Sequence, residues 1–489
     1  MINKKLLEVL SRLTSEEHRQ LKLFLQSPFF YQDLRRSPAE IIRLYEYIMR
    51  HHADENSPAL QKGRVSELFF PEKAFKENEK GPIDALTTDM FSLVRSFIGL
   101  GQEKRPSEDT QLLKLMAFYR KFGLEERFER TQQALEKQLD AQTIQDTRYF
   151  MVHFLMSEEV FKLKGLQSDS DTGNSIVRLL THLDMYYVLN RLSYMGLFTE
   201  QQKLFEVMEK KEPEFNMSSA VLGFAEREIG QSNVAIQLSL SILQKSNNIT
   251  LEEVLQLGKQ IEAHETGLSK EQLIYFYSYF RNLLSQQYSQ SGNPEIQKQL
   301  FEIFQIHLQK GLLHYDEHLH VINLRMLTTH ALKQNQTEWI RKVLEQHPPE
   351  RLCGTKYPKE ACDLNWAEYY FHLKNYEQAA QKLEYKPFEH PMLSIIAEAL
   401  LLKIYYATDN ELLDARMHAL RQKVRRSKLS PLIKTRYNNF IRLLGNLARL
   451  KTALHAESAS PLINEISTTP NVMHREWLLE QAKPFIASS

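Results

Sequence analysis

The sequence predicts an all-α fold: an α-solenoid of degenerate antiparallel helical hairpins that follows an N-terminal helical domain. Apolar residues recur at spacings of three and four from Leu6 to Leu479, which is the period of amphipathic helices. Glycine is scarce, with 16 in 489 residues, and no window alternates with period two for long enough to indicate a strand. A succession of short amphipathic helices buries its apolar faces by stacking each hairpin on its neighbours.

Helix starts are marked along the chain. Thr14 followed by Glu17 predicts a capping box, and Asn293-Pro294 combines a capping side chain with a first-turn proline. One apolar stripe runs over 273–284 and the next over 296–308, with a short polar segment between them. Two such stripes predict a helical hairpin.

Composition limits the class of protein. The chain is 42% apolar and 25% charged, as in soluble folded proteins. Its two cysteines, Cys353 and Cys362, are too few for a disulfide framework and fit a reducing compartment. The first thirteen residues carry four charges, and the most apolar stretch, 395–407, contains Glu398 and Lys403. We therefore expect a cytoplasmic protein without a membrane segment.

The segment 363–391 carries a recognisable pattern. Trp366, Ala367 and Tyr370 take the core positions of a first helix, residues 375–379 form a turn that ends on a small residue, and Pro391 closes the unit. This segment resembles a tetratricopeptide repeat. A weaker copy follows, in which Ala415 takes the place of Ala379. The resemblance implies interlocked antiparallel helices, and such repeats bind many kinds of partner. The run 24–30 also resembles a segment of uncharacterised bacterial helical proteins, which implies no activity.

Polar, turn-rich stretches predict the domain limits. We expect an N-terminal helical domain over 1–105 and a helical-repeat solenoid over 106–346. The tetratricopeptide-like repeats then occupy 347–455, and a looser tail over 456–489 contains a possible docking helix at 475–482 that carries Trp477.

Charge is segregated near the C-terminus. Between Arg416 and Lys451 lie eleven Lys or Arg and no acid, and since the whole chain carries +1, the rest carries −10. Such asymmetry is a signal of a partner. The block is either a solvated cationic end that the chain's own acids neutralise, a surface for an acidic protein partner, or a surface for nucleic acid. The predicted partner-binding residues are Arg421, Arg425, Arg426, Lys428, Lys434, Asn438 and Arg442.

Lys434 and Asn438 are spaced like a pair that some peptide-binding tetratricopeptide repeats use to hold a terminal carboxylate. This likeness implies a carboxylate-binding role for the two side chains.

One motif has metal-binding spacing. His314-Tyr315-Asp316-Glu317-His318 fits H-x-x-E-H, in which two imidazoles on one helix face bind Zn²⁺ and Glu317 activates water. The segment follows Gly311 near a helix boundary, and no downstream acid is identifiable as a third ligand. We therefore predict a polar turn, with no metal and no cofactor. The sequence favours a non-catalytic protein-binding scaffold, with a nucleic-acid-binding repeat protein and a zinc hydrolase centred on His314, Glu317 and His318 as alternatives.

Overall fold

A computed structural model describes residues 2–31, 37–51, 57–73, 75–76, 79–101, 107–167, 172–204, 218–229, 233–245, 249–384, 387–452 and 460–485. These residues are almost entirely helical, which confirms the all-α prediction. The chain divides into two compact units, Met1–Leu135 and Glu136–Ser489. The predicted limit at 105 lies outside the described residues, as does the limit at 455, and the limit at 346 lies inside the second unit.

Among the described residues, the first unit contains seven helices, the last of which crosses into the second unit. They are α1 Lys4–Leu10, α2 Ser15–Gln26, α3 Pro38–His51, α4 Lys62–Phe69, α5 Pro82–Gly101, α6 Glu108–Lys121 and α7 Glu125–Asp140. Helix α5 contacts each of α1 to α4 and is the centre of this unit's core. The capping box at the start of α2 is confirmed, because the backbone N–H of Thr14 donates to Glu17 Oε2 at 2.7 Å and Thr14 Oγ1 accepts from the Glu17 N–H at 3.2 Å.

The second unit contains sixteen further helices among the described residues. They are α8 Thr147–Gln167, α9 Thr172–Leu204, α10 Ser218–Phe224, α11 Val234–Lys245, α12 Leu251–Ala263, α13 Lys270–Ser291, α14 Pro294–Gln309, α15 Val321–Lys333, α16 Thr337–Gln346, α17 Pro358–His372, α18 Tyr376–Glu384, α19 Pro391–Ala407, α20 Leu413–Arg426, α21 Pro431–Thr452, α22 Ser460–Thr468 and α23 Arg475–Ala482.

Every helix from α12 to α21 packs against the helix that follows it in sequence. The two stripes predicted at 273–284 and 296–308 lie on α13 and α14, which are such a consecutive pair. Asn293 caps α14 as predicted, since its Oδ1 accepts from the Glu295 N–H at 2.9 Å. Gly292 ends α13 in the left-handed region, with φ of 63°. The apolar faces of consecutive helices therefore bury each other, in three clusters among the described residues.

The segment that resembles a tetratricopeptide repeat forms α17, α18 and the start of α19. Lys374 lies just after the end of α17 with φ of 60°, and the Asn375 N–H donates to the Tyr370 carbonyl at 2.9 Å. Ala367 and Ala379 are fully buried in one apolar cluster. Ala415, the corresponding small residue of the weaker copy, is exposed on α20. It therefore does not provide a close helix contact there.

A small sheet interrupts the helices, which the sequence did not predict. Strand β1, His314–Tyr315, pairs antiparallel with β2, His318–His320, and β2 pairs parallel with β3, Leu352–Cys353. Strands of two or three residues are too short to show an alternating pattern. Their pairing also depends on β3, which arrives from a distant part of the sequence after α15 and α16.

Candidate functional site

The basic block occupies α20, α21 and the turn between them. Along these two helices, a set of apolar residues that recurs at helical spacing is buried. They are Met417, Leu420, Val424, Ile433, Tyr437, Phe440, Leu444 and Leu447. The cations therefore project from the remaining faces, where they have either an acid of the chain or solvent beside them.

Part of the block is neutralised within the chain by Glu398 of α19. Its carboxylate accepts from Arg416 Nη1 at 3.4 Å and from Lys423 Nζ at 3.3 Å. Lys423 also donates to Ser394 Oγ at 2.9 Å. Glu398 is 17% exposed, so these pairs are better shielded from solvent than an ordinary surface ion pair. Glu398 thus pairs with two cations on the side of α20 that faces α19.

The far end of the block is also paired. Lys451 Nζ lies 2.5 Å from Asp409 Oδ1 and donates to the Tyr406 carbonyl at 3.0 Å. Arg442, one of the predicted partner-binding residues, forms an ion pair with Glu465 of α22. The guanidinium of Arg442 therefore already has an acidic partner within the chain.

Lys434 and Asn438 lie one turn apart on α21. Asn438 is exposed, and Lys434 is half-buried and already interacts within the chain. The two side chains therefore differ in how readily they reach a ligand, and Asn438 is the more accessible of the pair.

Four predicted residues form a basic corner, which we define as Arg421, Arg425, Arg426 and Lys428. All four are exposed and make no hydrogen bond or ion pair within the described part of the chain. Arg421 and Arg425 lie one turn apart, so they share a face of α20. Arg425 and Arg426 lie in the last turn, where cations interact favourably with the helix dipole.

The basic corner rests on an anchored turn. Ser427 ends α20 and its hydroxyl donates to the Val424 carbonyl at 2.7 Å. Leu429 and Ser430 of the turn are buried, while Leu432 at the start of α21 is 44% exposed. The corner therefore presents four cations and one apolar side chain from a backbone that is held in place, which suits a carboxylate-rich segment with an occasional apolar residue.

The H-x-x-E-H motif lies on a β-hairpin and not on a helix. Asp316 and Glu317 form its two-residue turn, with φ of 46° and 66°. His314 pairs with Leu319 and Tyr315 with His318, so His314 and His318 point to opposite faces. The shared face that zinc ligation by this motif needs is therefore absent from this segment. Among the described residues, no group of three or more His, Cys, Asp or Glu is arranged to hold a metal ion.

The structure also reveals a polar contact that the sequence analysis missed, which we name the C-terminal junction: Tyr288, Lys333, Lys403, Glu476 and Trp477. The segment 475–482 forms the helix α23. Its Glu476 accepts from Lys333 Nζ at 2.7 Å and from the Tyr288 hydroxyl at 2.5 Å. Tyr288 and Glu476 are 188 residues apart, so no local sequence pattern indicates their contact.

Trp477 provides the aromatic half of the junction. Lys403 Nζ lies 5.5 Å from the centroid of the Trp477 ring and 4.5 Å from that of Phe371. The Tyr406 ring packs edge-on at 5.6 Å from Trp477. Burial among these rings lowers the pKa of Lys403 to about 8, although the carboxylate of Glu368 opposes the shift. The junction therefore holds an ammonium group between two aromatic faces.

The carboxylate of Glu476 is ionised in this environment. Burial would raise the pKa of Glu476, but the hydrogen bonds from Lys333 and Tyr288 favour the charged form and hold it below its usual value. Burial and the bond to Glu476 raise the pKa of the Tyr288 hydroxyl. The junction is thus an anion-binding arrangement, and α23 supplies the anion.

Comparison with protein-family models, with curated proteins and with solved structures finds no match to this chain. Within the described residues, none of the helices combines the length and the apolar character that crossing a membrane requires.

Proposed function

We propose that this chain is a non-catalytic helical-repeat scaffold that binds an acidic protein segment at the basic corner. The observation that carries this proposal is that some cations of the basic block pair with acids of the chain and others do not. The chain's own acids pair with cations at both ends of the block, yet the four cations of the corner stay exposed and unpaired among the described residues. Cations that served only to balance the chain's acids would have acids beside them.

The scaffold architecture that we propose is an α-solenoid of tetratricopeptide-like hairpins. The unbroken succession of contacts from α12 to α21 supports it, because each repeat of a solenoid packs on its neighbours. The buried pair Ala367 and Ala379 supports the tetratricopeptide register of α17 and α18. We also propose a cytoplasmic location, since Cys353 and Cys362 are both free thiols.

The chemistry of the corner favours an acidic peptide over nucleic acid. Proteins that bind single strands without sequence preference place exposed aromatic rings among the cations, on which bases stack. The aromatic residues of this block, Tyr437 and Phe440, are buried. The exposed apolar neighbour, Leu432, suits a peptide side chain better than a base.

Charge reversal of the corner tests the proposal. We expect Arg425→Glu with Arg426→Glu and Lys428→Glu to weaken the binding of a fluorescent oligoglutamate peptide about tenfold or more, because three favourable charge contacts become repulsive. The matched control reverses three exposed cations that lie far from the corner in sequence and likewise lack partners among the described residues, Lys259, Lys298 and Lys342. It makes the same change in net charge.

Three results would contradict the proposal. Peptide affinity equal in the corner and control variants would show that only net charge matters. Loss of helical circular dichroism in the corner variant would mean that these cations stabilise the fold. Tighter binding of a single-stranded RNA oligonucleotide, with a steep salt dependence that the corner variant loses, would favour the nucleic-acid alternative.

A further inference from the structure

Helix α9 has apolar residues on two faces. One face enters the core of the second unit through Met185, Val188, Leu189 and Leu192. On the same side, Gly196 packs so closely on α13 that a Cβ atom there would lie 1.8 Å from the Tyr275 hydroxyl. This face is therefore committed to the core, and α9 is held firmly along it.

The opposite side of α9 exposes eight apolar side chains to solvent, each between 36% and 67% exposed. They are Ile176, Val177, Leu180, Leu183, Tyr187, Tyr194, Leu197 and Phe198. At roughly 150–200 Å² for a fully exposed side chain of this size, they present on the order of 700 Å². Soluble monomers rarely expose an apolar patch larger than a few hundred Å², so this stripe calls for a partner.

The spacing of the stripe identifies the partner as another helix. Seven positions of α9 alternate by four and three residues, which is the heptad spacing of a coiled-coil seam. They are Ile176, Leu180, Leu183, Tyr187, Asn190, Tyr194 and Leu197. The seam extends over about 33 Å to Phe198 at 1.5 Å per residue. Asn190 is the polar residue of the seam, and its side chain donates to the Tyr186 carbonyl at 2.8 Å. A single polar residue within such a seam commonly selects register and oligomeric state.

We infer that this stripe is the interface of an antiparallel homodimer in which α9 of one copy packs on α9 of a second copy. A two-fold axis at the level of residues 188 and 189 makes the stripe complementary to itself, because the two alternating positions of an antiparallel seam face each other. It brings Leu180 opposite Leu197 of the second copy, Leu183 opposite Tyr194 and Tyr187 opposite Asn190. A two-fold interface requires such self-complementarity.

Charge and area support the same arrangement. Asp184 is exposed and makes no ion pair within the described residues, and it flanks the seam at the same heptad position as Arg191. An antiparallel arrangement brings these equivalent positions together, so that Asp184 comes beside Arg191 of the second copy. A parallel arrangement would instead place Asp184 beside Leu179. The stripe's area is close to the roughly 800 Å² per partner of a standard interface. This dimer does not depend on what the basic corner binds.

Light scattering on the full chain tests for the dimer. We expect twice the chain mass of 57.5 kDa for the wild type at micromolar concentration. Leu180→Glu with Tyr194→Glu should restore the monomer mass with unchanged circular dichroism, raising the dissociation constant at least about a hundredfold, because the interface cannot bury unpaired carboxylates. The matched control is Phe118→Glu with Phe122→Glu on α6, two side chains that are 51% and 58% exposed. It should leave the dimer intact.

Disulfide trapping tests the orientation, in a background with Cys353→Ser and Cys362→Ala. Leu180→Cys and Leu197→Cys should cross-link only when mixed, because these residues face each other in the antiparallel arrangement and facing Cα atoms come within disulfide reach. A monomeric wild type, a dimer that survives Leu180→Glu with Tyr194→Glu, or efficient self-linking of Leu180→Cys would each overturn the inference.

Discussion

A buried arginine beside a histidine predicts how acid destabilises the second unit. Arg281 of α13 is 2% exposed and contacts no carboxylate among the described residues. Its Nη1 lies 2.7 Å from Nδ1 of His307 on α14. Because a guanidinium only donates hydrogen bonds, Nδ1 of His307 has to be the unprotonated acceptor. Burial, together with the charges of Arg281 and Lys310, lowers the pKa of His307 to about 3.

The sign and size of the effect follow from linkage. Between the ordinary pKa of 6.5 and about 3, the unfolded chain binds a proton at His307 that the folded chain excludes. Folding stability is therefore fully present above pH 6.5 and falls as the pH falls, by about 1.4 kcal/mol per pH unit. At pH 5 the loss of folding free energy is roughly 2 kcal/mol. Its size depends only on the pKa of His307 in the unfolded chain, as long as the pKa in the folded chain stays well below 5.

The substitution His307→Gln isolates this contribution. Its amide oxygen can still accept from Arg281, but it does not titrate. Urea unfolding is followed by tryptophan fluorescence at pH 7 and pH 5, since Trp339, Trp366 and Trp477 all belong to the second unit. We expect the free energy of unfolding of the variant to fall by roughly 2 kcal/mol less than that of the wild type.

Other buried histidines set the background of this experiment. Burial lowers the pKa of His182 to about 4 and that of His330 to about 3, so both destabilise the unit over the same pH range. They are present in wild type and variant alike, and the difference between the two proteins therefore reports His307. An equal loss of stability in both proteins would refute the reasoning, because it would mean that His307 is protonated in the folded state or is not shielded there.

Two further predictions concern packing. Ala379 is fully buried where α18 meets α17, so Ala379→Trp should overpack this contact and lower the free energy of unfolding by about 1–3 kcal/mol. The control Ala415→Trp, on the exposed face of α20, should be nearly neutral. A similar shift of the melting temperature in both variants would show that the register assigned to α17 and α18 is wrong. Trp477→Ala should lower the free energy of unfolding by about 2–3 kcal/mol, because it removes the ring that packs on Lys403 and Tyr406. Urea unfolding followed by circular dichroism measures this loss, and Trp477→Phe should recover part of it. An unchanged free energy of unfolding would mean that α23 contributes little to stability.

Features that depend on neighbouring residues could be predicted from the sequence. The capping box of Thr14, the capped start at Asn293 and the buried face of α20 and α21 all appear in the structure where the sequence indicated them. Each of these rests on contacts within one or two helical turns, where the identity of a few residues decides the geometry. Ala415 is exposed although it has the expected spacing, because a small side chain by itself does not bring a second helix into contact.

The sequence by itself determined that this protein is helical, where many of its helices begin and which faces are apolar, since helix periodicity and capping are local. Only the tertiary structure decided which cations of the basic block have partners, because Glu398 and Glu465 reach them from other helices. It also decided that His314 and His318 diverge on a hairpin, and that Glu476 meets Tyr288. These outcomes depend on which distant segments the packed core brings together, and no spacing within one segment contains that information.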